Sequence, residues 1–198
     1  GPGSNPDTRP PGVPNATAPA ATVDIRLPLD PAVDLDTVAL GRFGFGVGAT
    51  EMIFEPAPGA QSFEEERPLV LTVPSLADPN TSEVLSLTMR VTALLDRGAR
   101  EVRWLLTLVD PTTGLVHPNP LAGFLPPEPV APQGAGGGFA TVSYQADDAP
   151  TGTTVTARAS IVFDDNDPLD TNTWSNRLDR TAPDTTITGG GTTAVGGT

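Results

Sequence analysis

The residues best suited to chemistry stand close together near the C-terminal end of the sequence. Four carboxylates and two amides fall within residues 164–172: Asp164, Asp165, Asn166, Asp167, Asp170 and Asn172. Such side chains repel one another unless a cation or hydrogen bonds offset their charge, and oxygen donors are the ligands that Ca²⁺ prefers. The alternative is a plain turn, because Asp and Asn side chains bond to their own backbone and stabilise turns.

The calcium interpretation predicts a specific set of ligands. We expect the acidic run and the segment after it to bind one Ca²⁺ ion through five side chains: Asp164, Asn166, Asp170, Asn172 and Asp179. The run is not an EF-hand loop, since it lacks the glycine at the sixth position and the terminal glutamate, and no helical pattern flanks it.

Other residue types that enzymes use are scarce in this sequence. The chain has no cysteine and one histidine, His117, which lies between Val116 and Pro118. A Ser-His-Asp triad would have to be built around that single residue. The three glutamates at 64–66 are interpreted as a solvated charged loop rather than as part of a carboxylate pair for glycoside hydrolysis. We therefore expect a protein without catalytic activity.

The charge balance narrows the partners that the protein can have. The formal net charge is −13, and all 11 basic residues are arginine. An acidic surface repels phosphate backbones, which argues against nucleic-acid binding, whereas it suits divalent cations or simply keeps the protein soluble. No apolar run reaches the roughly 18 to 20 residues of a membrane-spanning helix, so no membrane insertion is expected.

Composition divides the chain into one folded unit and two flexible segments. Residues 1–4 are interpreted as the remnant of an expression tag, and together with the Pro- and Ala-rich stretch that follows they make residues 1–21 a linker. Residues 182–198 are rich in Gly and Thr and form a second linker. The folded unit is therefore predicted to span residues 22–181.

Hydrophobic residues within this unit recur at every second position, which predicts β-strands. The clearest predicted strands and turns are a first strand at 23–29, strands at 84–94 and 101–109 joined by a hairpin turn at 96–99, a turn at 110–114, and a second hairpin in which 139–145 pairs with 153–163 across 147–152. Trp104 lies on the apolar face of its strand and is predicted to be buried, whereas Trp174 adjoins the acidic run.

The number of predicted strands indicates the fold class. Eight or nine short strands with closely spaced turns, and no segment of helical periodicity, predict an all-β antiparallel β-sandwich with Ig-like or cohesin-like architecture. A barrel is the main alternative.

Residues 159–183 resemble the ending of repeat modules found in very large bacterial surface and exported proteins. That ending has the pattern AxIxFDxNxPIxTN followed by NxIDxxxP, and its polar positions correspond here to Asp164, Asn166, Thr171, Asn172, Asn176 and Asp179. Leu169 and Leu178 stand where isoleucine is usual. The resemblance implies an Ig-like or cohesin-like fold without catalysis, a secreted or cell-surface location, and a further Ig-like repeat after Pro183.

Two classes of function follow from these observations. The first is a structural or adhesive module stiffened by calcium, whose partners are neighbouring modules of the same chain. The second is a module that binds a glycan or a surface protein, for which the sequence indicates no ligand-binding residues. A contiguous exposed apolar or aromatic patch would favour the second class.

Overall fold

A computed structural model of the protein describes residues 18–46, 51–78, 80–127, 136–146 and 149–182. Within these ranges the chain forms β-strands and no helix. The strands are β1 (Thr22–Pro28), β2 (Asp34–Phe45), β3 (Met52–Phe54), β4 (Ser62–Pro74), β5 (Ser82–Asp96), β6 (Glu101–Val109), β7 (Gly138–Gln145), β8 (Thr154–Ala157), β9 (Ser160–Phe163), β10 (Leu169–Asp170) and β11 (Trp174–Arg177). The described part of the chain thus has no helix long and apolar enough to cross a membrane.

Six of the strands form one sheet in the order β10-β9-β1-β6-β5-β4, with every neighbour antiparallel. The predicted hairpin between β5 and β6 is confirmed. Its turn is closed by Asp96, whose Oδ1 accepts a hydrogen bond from the Ala99 N–H at 2.9 Å, and by Arg100, whose φ is 51°. The turn predicted at 110–114 is also confirmed, because the Gly114 N–H donates to the Asp110 carbonyl at 2.8 Å.

A smaller sheet of three antiparallel strands has the order β3-β2-β7. The pairing of β2 with β7 shifts register twice, which bends the pair. Strands β2 and β3 approach so closely that a Cβ atom on Gly44 would lie 2.4 Å from the Met52 carbonyl oxygen. Only glycine fits at that position without a shift of the backbone.

The two sheets pack face to face through an aromatic cluster. Phe63 of the six-stranded sheet meets Phe43 of the three-stranded sheet edge to face, with ring centroids 5.5 Å apart. Phe43 in turn stacks on Phe54 at 5.3 Å. The Arg67 guanidinium lies 4.5 Å above the Phe54 ring and donates to the Ile53 carbonyl at 2.7 Å. These contacts confirm the predicted antiparallel β-sandwich.

The centre of the sandwich is apolar, as the alternation of the strands predicts. Trp104 on β6 is 2% exposed, and Met89 and Val91 on the adjacent strand β5 are fully buried. Burying a side chain of this size contributes about 1.5–3 kcal/mol to the free energy of folding. The prediction that Trp104 is a core residue is confirmed.

The predicted second hairpin is wrong. Strand β7 pairs with β2, about a hundred residues earlier in the sequence, and not with the chain at 153–163. That stretch is divided into β9, in the six-stranded sheet, and β8, which pairs with β11 in a separate two-stranded sheet. Arg158 and Ala159 separate the two strands. Turn-forming residues at 147–152 suggested a local hairpin, but the pairing partner of a strand is not encoded in the local pattern.

The glutamates at 64–66 are not a loop, contrary to the sequence-based interpretation. They lie in β4, the edge strand of the six-stranded sheet, where exposed and half-buried residues alternate. The Glu66 carboxylate pairs with Arg90 on β5 at 2.6 Å, and Glu65 pairs with Arg67. Charged side chains and Pro68 suit an edge strand because they discourage pairing with a further strand.

The predicted linker boundary between residues 21 and 22 falls inside the packed structure. Ala20 is 7% exposed, belongs to the core, and donates its N–H to the Leu125 carbonyl at 2.8 Å. Most of the first predicted linker, residues 1–17, and nearly all of the second, residues 183–198, lie outside the described residues.

Candidate functional site: the acidic turn and its ribbon

The acidic run forms the tip of a two-stranded ribbon, here called the C-terminal ribbon (residues 152–178). Strands β8 and β9 make one side of the ribbon, and β10 and β11 make the other. Between the paired strands, the Thr171 N–H donates to the Ala159 carbonyl at 2.9 Å, and the Thr171 hydroxyl accepts from the Ala159 N–H at 3.0 Å. The ribbon is therefore continuous, and residues 164–168, here called the acidic turn, reverse the chain at its end.

Asp164 connects the acidic turn to the first strand of the fold. Its Oδ1 accepts hydrogen bonds from two consecutive backbone N–H groups, those of Ala21 at 2.9 Å and Thr22 at 2.8 Å. Its own N–H donates to the Thr22 carbonyl at 2.9 Å. The φ of Asp164 is 50°, a left-handed conformation that Asp adopts more readily than most residues. The carboxylate thus holds the backbone where β1 begins.

Asn166 closes the turn itself. Its backbone N–H and its side-chain amide both donate to the Phe163 carbonyl, at 3.0 Å and 2.7 Å. Asn side chains often stabilise turns by bonds of this kind. The turn alternative raised by the sequence therefore describes the hydrogen bonds of Asn166, whereas those of Asp164 reach the distant backbone at 21–22.

The other three predicted ligands have separate surroundings. Asp170 forms an ion pair with Arg158, with Oδ2 and a guanidinium nitrogen 2.7 Å apart. The Asn172 carbonyl accepts from the Thr171 hydroxyl at 3.2 Å. Asp179 lies past the other end of the ribbon, where its Oδ1 accepts from the Thr181 N–H at 2.9 Å. No single centre collects these groups.

The register of the ribbon sets the separation of Asp164 from Asp179. Asp164 follows Phe163, whereas Leu178 bonds to Thr153 at the opposite end. Ten residues of extended chain span about 30 Å. Two oxygens that bind one Ca²⁺ ion lie within about 5 Å of each other, since each is 2.3–2.6 Å from the ion.

The predicted set of ligands does not fit one ion in this structure. Asp164 and Asp179 cannot share a calcium ion at that separation, so the predicted convergence of all five side chains is not found. Across the described ranges there is also no group of three or more His, Cys, Asp or Glu side chains placed to hold a metal. Calcium binding by a smaller set around the acidic turn stays a prediction.

Three parts of the fold meet at the start of β1. Besides the bonds to Asp164, the Ala21 carbonyl accepts from the Leu108 N–H of β6 at 2.8 Å, and the Ala20 carbonyl accepts from the Phe124 N–H at 2.9 Å. The segment at 20–22 is thus held by the acidic turn, by β6 and by the loop after β6. The acidic turn is one of the anchors of the first strand.

A second carboxylate on β1 was not singled out by the sequence. Both oxygens of Asp24 accept from Arg103 on β6, at 2.8 Å and 2.9 Å, and Arg26 bonds to the same carboxylate at 2.9 Å. Burial alone would raise the pKa of Asp24, but the bonds from Arg103 and Arg26 outweigh burial and hold the pKa below its usual value. In the sequence, this charge cluster is indicated only by the spacing of Asp24 and Arg26, which are two residues apart on one predicted strand and therefore share a face.

Asn119 is a fully buried polar residue that the sequence analysis also missed. Its side-chain amide donates to the Pro74 carbonyl and to the Glu83 carboxylate, both at 2.9 Å, and its Oδ1 accepts from the Leu121 N–H at 2.9 Å. The sole histidine has a local role here, because the His117 Nδ1 accepts from the Asn119 N–H at 3.2 Å. These bonds fasten the loop after β6 to the turn end of the β4–β5 hairpin.

An open depression of about 650 Å³ lies at the end of the sandwich opposite Asn119. Its walls are residues 31–36, Arg97, Arg100 and the chain at 149–153. The Arg100 guanidinium donates to the carbonyls of Asp30, Pro31 and Val33, and Arg97 pairs with Asp36 at 2.8 Å. The arginines that line the depression thus secure the loop between β1 and β2.

No protein-family model, curated protein or solved structure matches the chain. The fold and the site define the class of the protein as an antiparallel β-sandwich whose acidic stretch is built into a hairpin turn. The resemblance of residues 159–183 to bacterial repeat modules stays a prediction, as does the choice between Ig-like and cohesin-like architecture.

Proposed function

We propose that the chain is a non-catalytic structural or adhesive module of a large secreted or cell-surface bacterial protein. The observation that supports this proposal is the use of the acidic run. Its first carboxylate, Asp164, bonds to two backbone N–H groups at the start of β1. The stretch of sequence richest in carboxylate and amide side chains thus forms hydrogen bonds within the fold. This use is expected of a module with a structural role.

Neighbouring modules of the same chain are the proposed partners, and calcium is the proposed cofactor. The composition of residues 164–172 supports calcium. The five predicted ligands do not converge on one point, so their arrangement does not add support for calcium. We therefore propose that the hydrogen bonds of Asp164 and Asn166 hold the turn with or without the ion.

The location can be tested on cells of the source organism. Antibodies raised against this protein should label intact cells or the culture medium, and they should detect a band much larger than the 20.4 kDa of this chain. Brief protease treatment of intact cells should remove the label. Detection only after lysis, or as a band of about this chain's own size, would contradict the proposal.

A glycan- or protein-binding module is the second candidate, and the exposure of the C-terminal ribbon supports it. Trp174 on β11 is 54% exposed and Leu169 on β10 is 46% exposed. An exposed tryptophan offers a flat apolar surface on which a sugar ring can stack. Glycan-array binding that is lost in Trp174→Ala and kept in Val84→Ala, which removes a 67% exposed apolar side chain from β5, would favour this candidate over the first.

A further inference from the structure

The chain joins the sandwich at two points that lie at opposite ends of the strands. Strand β1 begins at Thr22, beside Phe163 at the end of β9. Strand β11 ends at Arg177, opposite Thr154 at the start of β8. The Thr156 N–H bonds to the Asp30 carboxylate at 3.1 Å, so β8 continues the line of β9 past the end of β1. The two junctions are therefore about 30 Å apart along the strand direction.

The strands at the two junctions, β1 and β11, are each held by a ladder of backbone hydrogen bonds to their neighbours. Both ladders run parallel to the line between the junctions. Strand β1 pairs with β6 over seven residues and with β9 over four. Strand β11 pairs with β8 over four residues, and Leu178 adds bonds to Thr153 and Gly152, both at 2.8 Å. A force that pulls the junctions apart acts along the strands, so the rungs of each ladder share the load and must break together.

Side-chain bonds reinforce the first junction. A force on the preceding chain would first reach Ala20, which bonds to Leu125 and Phe124, and then the two backbone N–H groups at 21 and 22, which bond to Asp164. Asp24 ties β1 to β6 through both of its oxygens and Arg103. These bonds cross from the loaded strand to its neighbours, so they oppose sliding of β1 along the sheet.

From this arrangement we propose that the module bears tension, with β1 and β11 loaded in shear when the chain is pulled at its two junctions. This inference deepens the proposed structural role and rests on it.

Single-molecule pulling tests the inference, and the absence of cysteine from the sequence allows handles to be attached at chosen positions. The pair Ala18→Cys and Thr181→Cys loads the two ladders in shear. The pair Ala18→Cys and Asp165→Cys has both handles at the same end of β1 and β9, so their rungs break one after another. All three positions are exposed, and folding of both variants is checked by circular dichroism before pulling.

At equal pulling speed, the unfolding force of the 18/181 pair should be several-fold that of the 18/165 pair. Equal forces, or a higher force for the 18/165 pair, would overturn the inference. Such a failure is distinct from a failure of the proposed function, because labelling of intact cells could still show a surface module that is not built to bear load.

Discussion

Removing the Asp164 carboxylate should weaken the start of β1, and two substitutions separate the causes. Asp164→Gly removes both bonds to Ala21 and Thr22 but tolerates the φ of 50°. Asp164→Asn keeps an oxygen acceptor and a residue that adopts this conformation, and it loses only the charge. Asp165→Gly is the matched control, since Asp165 is an exposed neighbour in the same turn.

The expected magnitudes follow from the hydrogen bonds. A hydrogen bond to a charged group contributes about 1.5–3 kcal/mol to the free energy of unfolding when it is shielded from water. The bonds to Asp164 are exposed, so we expect their contribution to lie at or below the lower end of that range. A new glycine costs about 0.5–1 kcal/mol through the freedom of the unfolded chain, but at a φ of 50° glycine also relieves the left-handed strain that Asp bears, so at position 164 the two effects offset each other. We expect Asp164→Gly to lose about 1.5 kcal/mol, which is the contribution of the hydrogen bonds and corresponds to roughly 3–6 °C in Tm for a chain of this size. Asp164→Asn should lose about half as much.

Urea unfolding followed by tryptophan fluorescence measures these differences. Trp104 is 2% exposed and becomes accessible to water on unfolding, so its emission reports the global transition. Asp165→Gly measures the cost of a new glycine in the same turn, and at position 164 relief of the left-handed φ offsets that cost, so a larger loss in Asp164→Gly than in Asp165→Gly comes from the carboxylate bonds. If the two glycine variants unfold at the same urea concentration, the Asp164 bonds do not stabilise the fold.

Three further outcomes are expected. Millimolar Ca²⁺ should raise Tm, and a chelator should reverse the rise. If only the folded form binds Ca²⁺, the free energy of unfolding rises by about 2.7 kcal/mol at a hundred times the Kd. An unchanged Tm in differential scanning fluorimetry would contradict the calcium prediction. The pKa of Asp24 is lowered from 3.8 in the folded state, so its stabilisation is present above about pH 4 and is lost as pH falls through the folded pKa. Wild type should therefore lose more stability than Asp24→Asn in urea titrations between pH 5 and pH 2, and parallel losses would contradict this. Asn119→Ala should cost about 1–3 kcal/mol in urea unfolding, because it removes the three hydrogen bonds that this buried side chain makes, and a loss below about 0.5 kcal/mol would contradict that role.

The strands of the fold could be predicted from the sequence because side-chain alternation is a local property. Strand β6 has the predicted bounds, and β5 extends the predicted strand by two residues at each end. The partners of the strands could not be predicted in the same way. Strand β7 has turn residues after it that suggest a hairpin, yet it pairs with β2, because burial of the shared core decides between distant partners.

The charged stretches show a similar limit. Residues 64–66 have the composition of a loop, but their alternate exposure in β4 becomes visible only once the strand has an edge position in the sheet. At the acidic run, both a turn and a metal site were consistent with the composition. The partner of Asp164 is the backbone at 21–22, more than 140 residues away in sequence, and no local pattern indicates it.

Hydrogen exchange of individual backbone amides tests most directly whether the acidic turn has a structural role. We expect the amides of Ala21 and Thr22 to exchange as slowly as those in the centre of β1, in the presence or absence of calcium. Asp164→Gly should speed up the exchange of these two amides, whereas Asp165→Gly should not. Fast exchange of both amides in the wild-type protein would contradict the anchoring of β1 by Asp164.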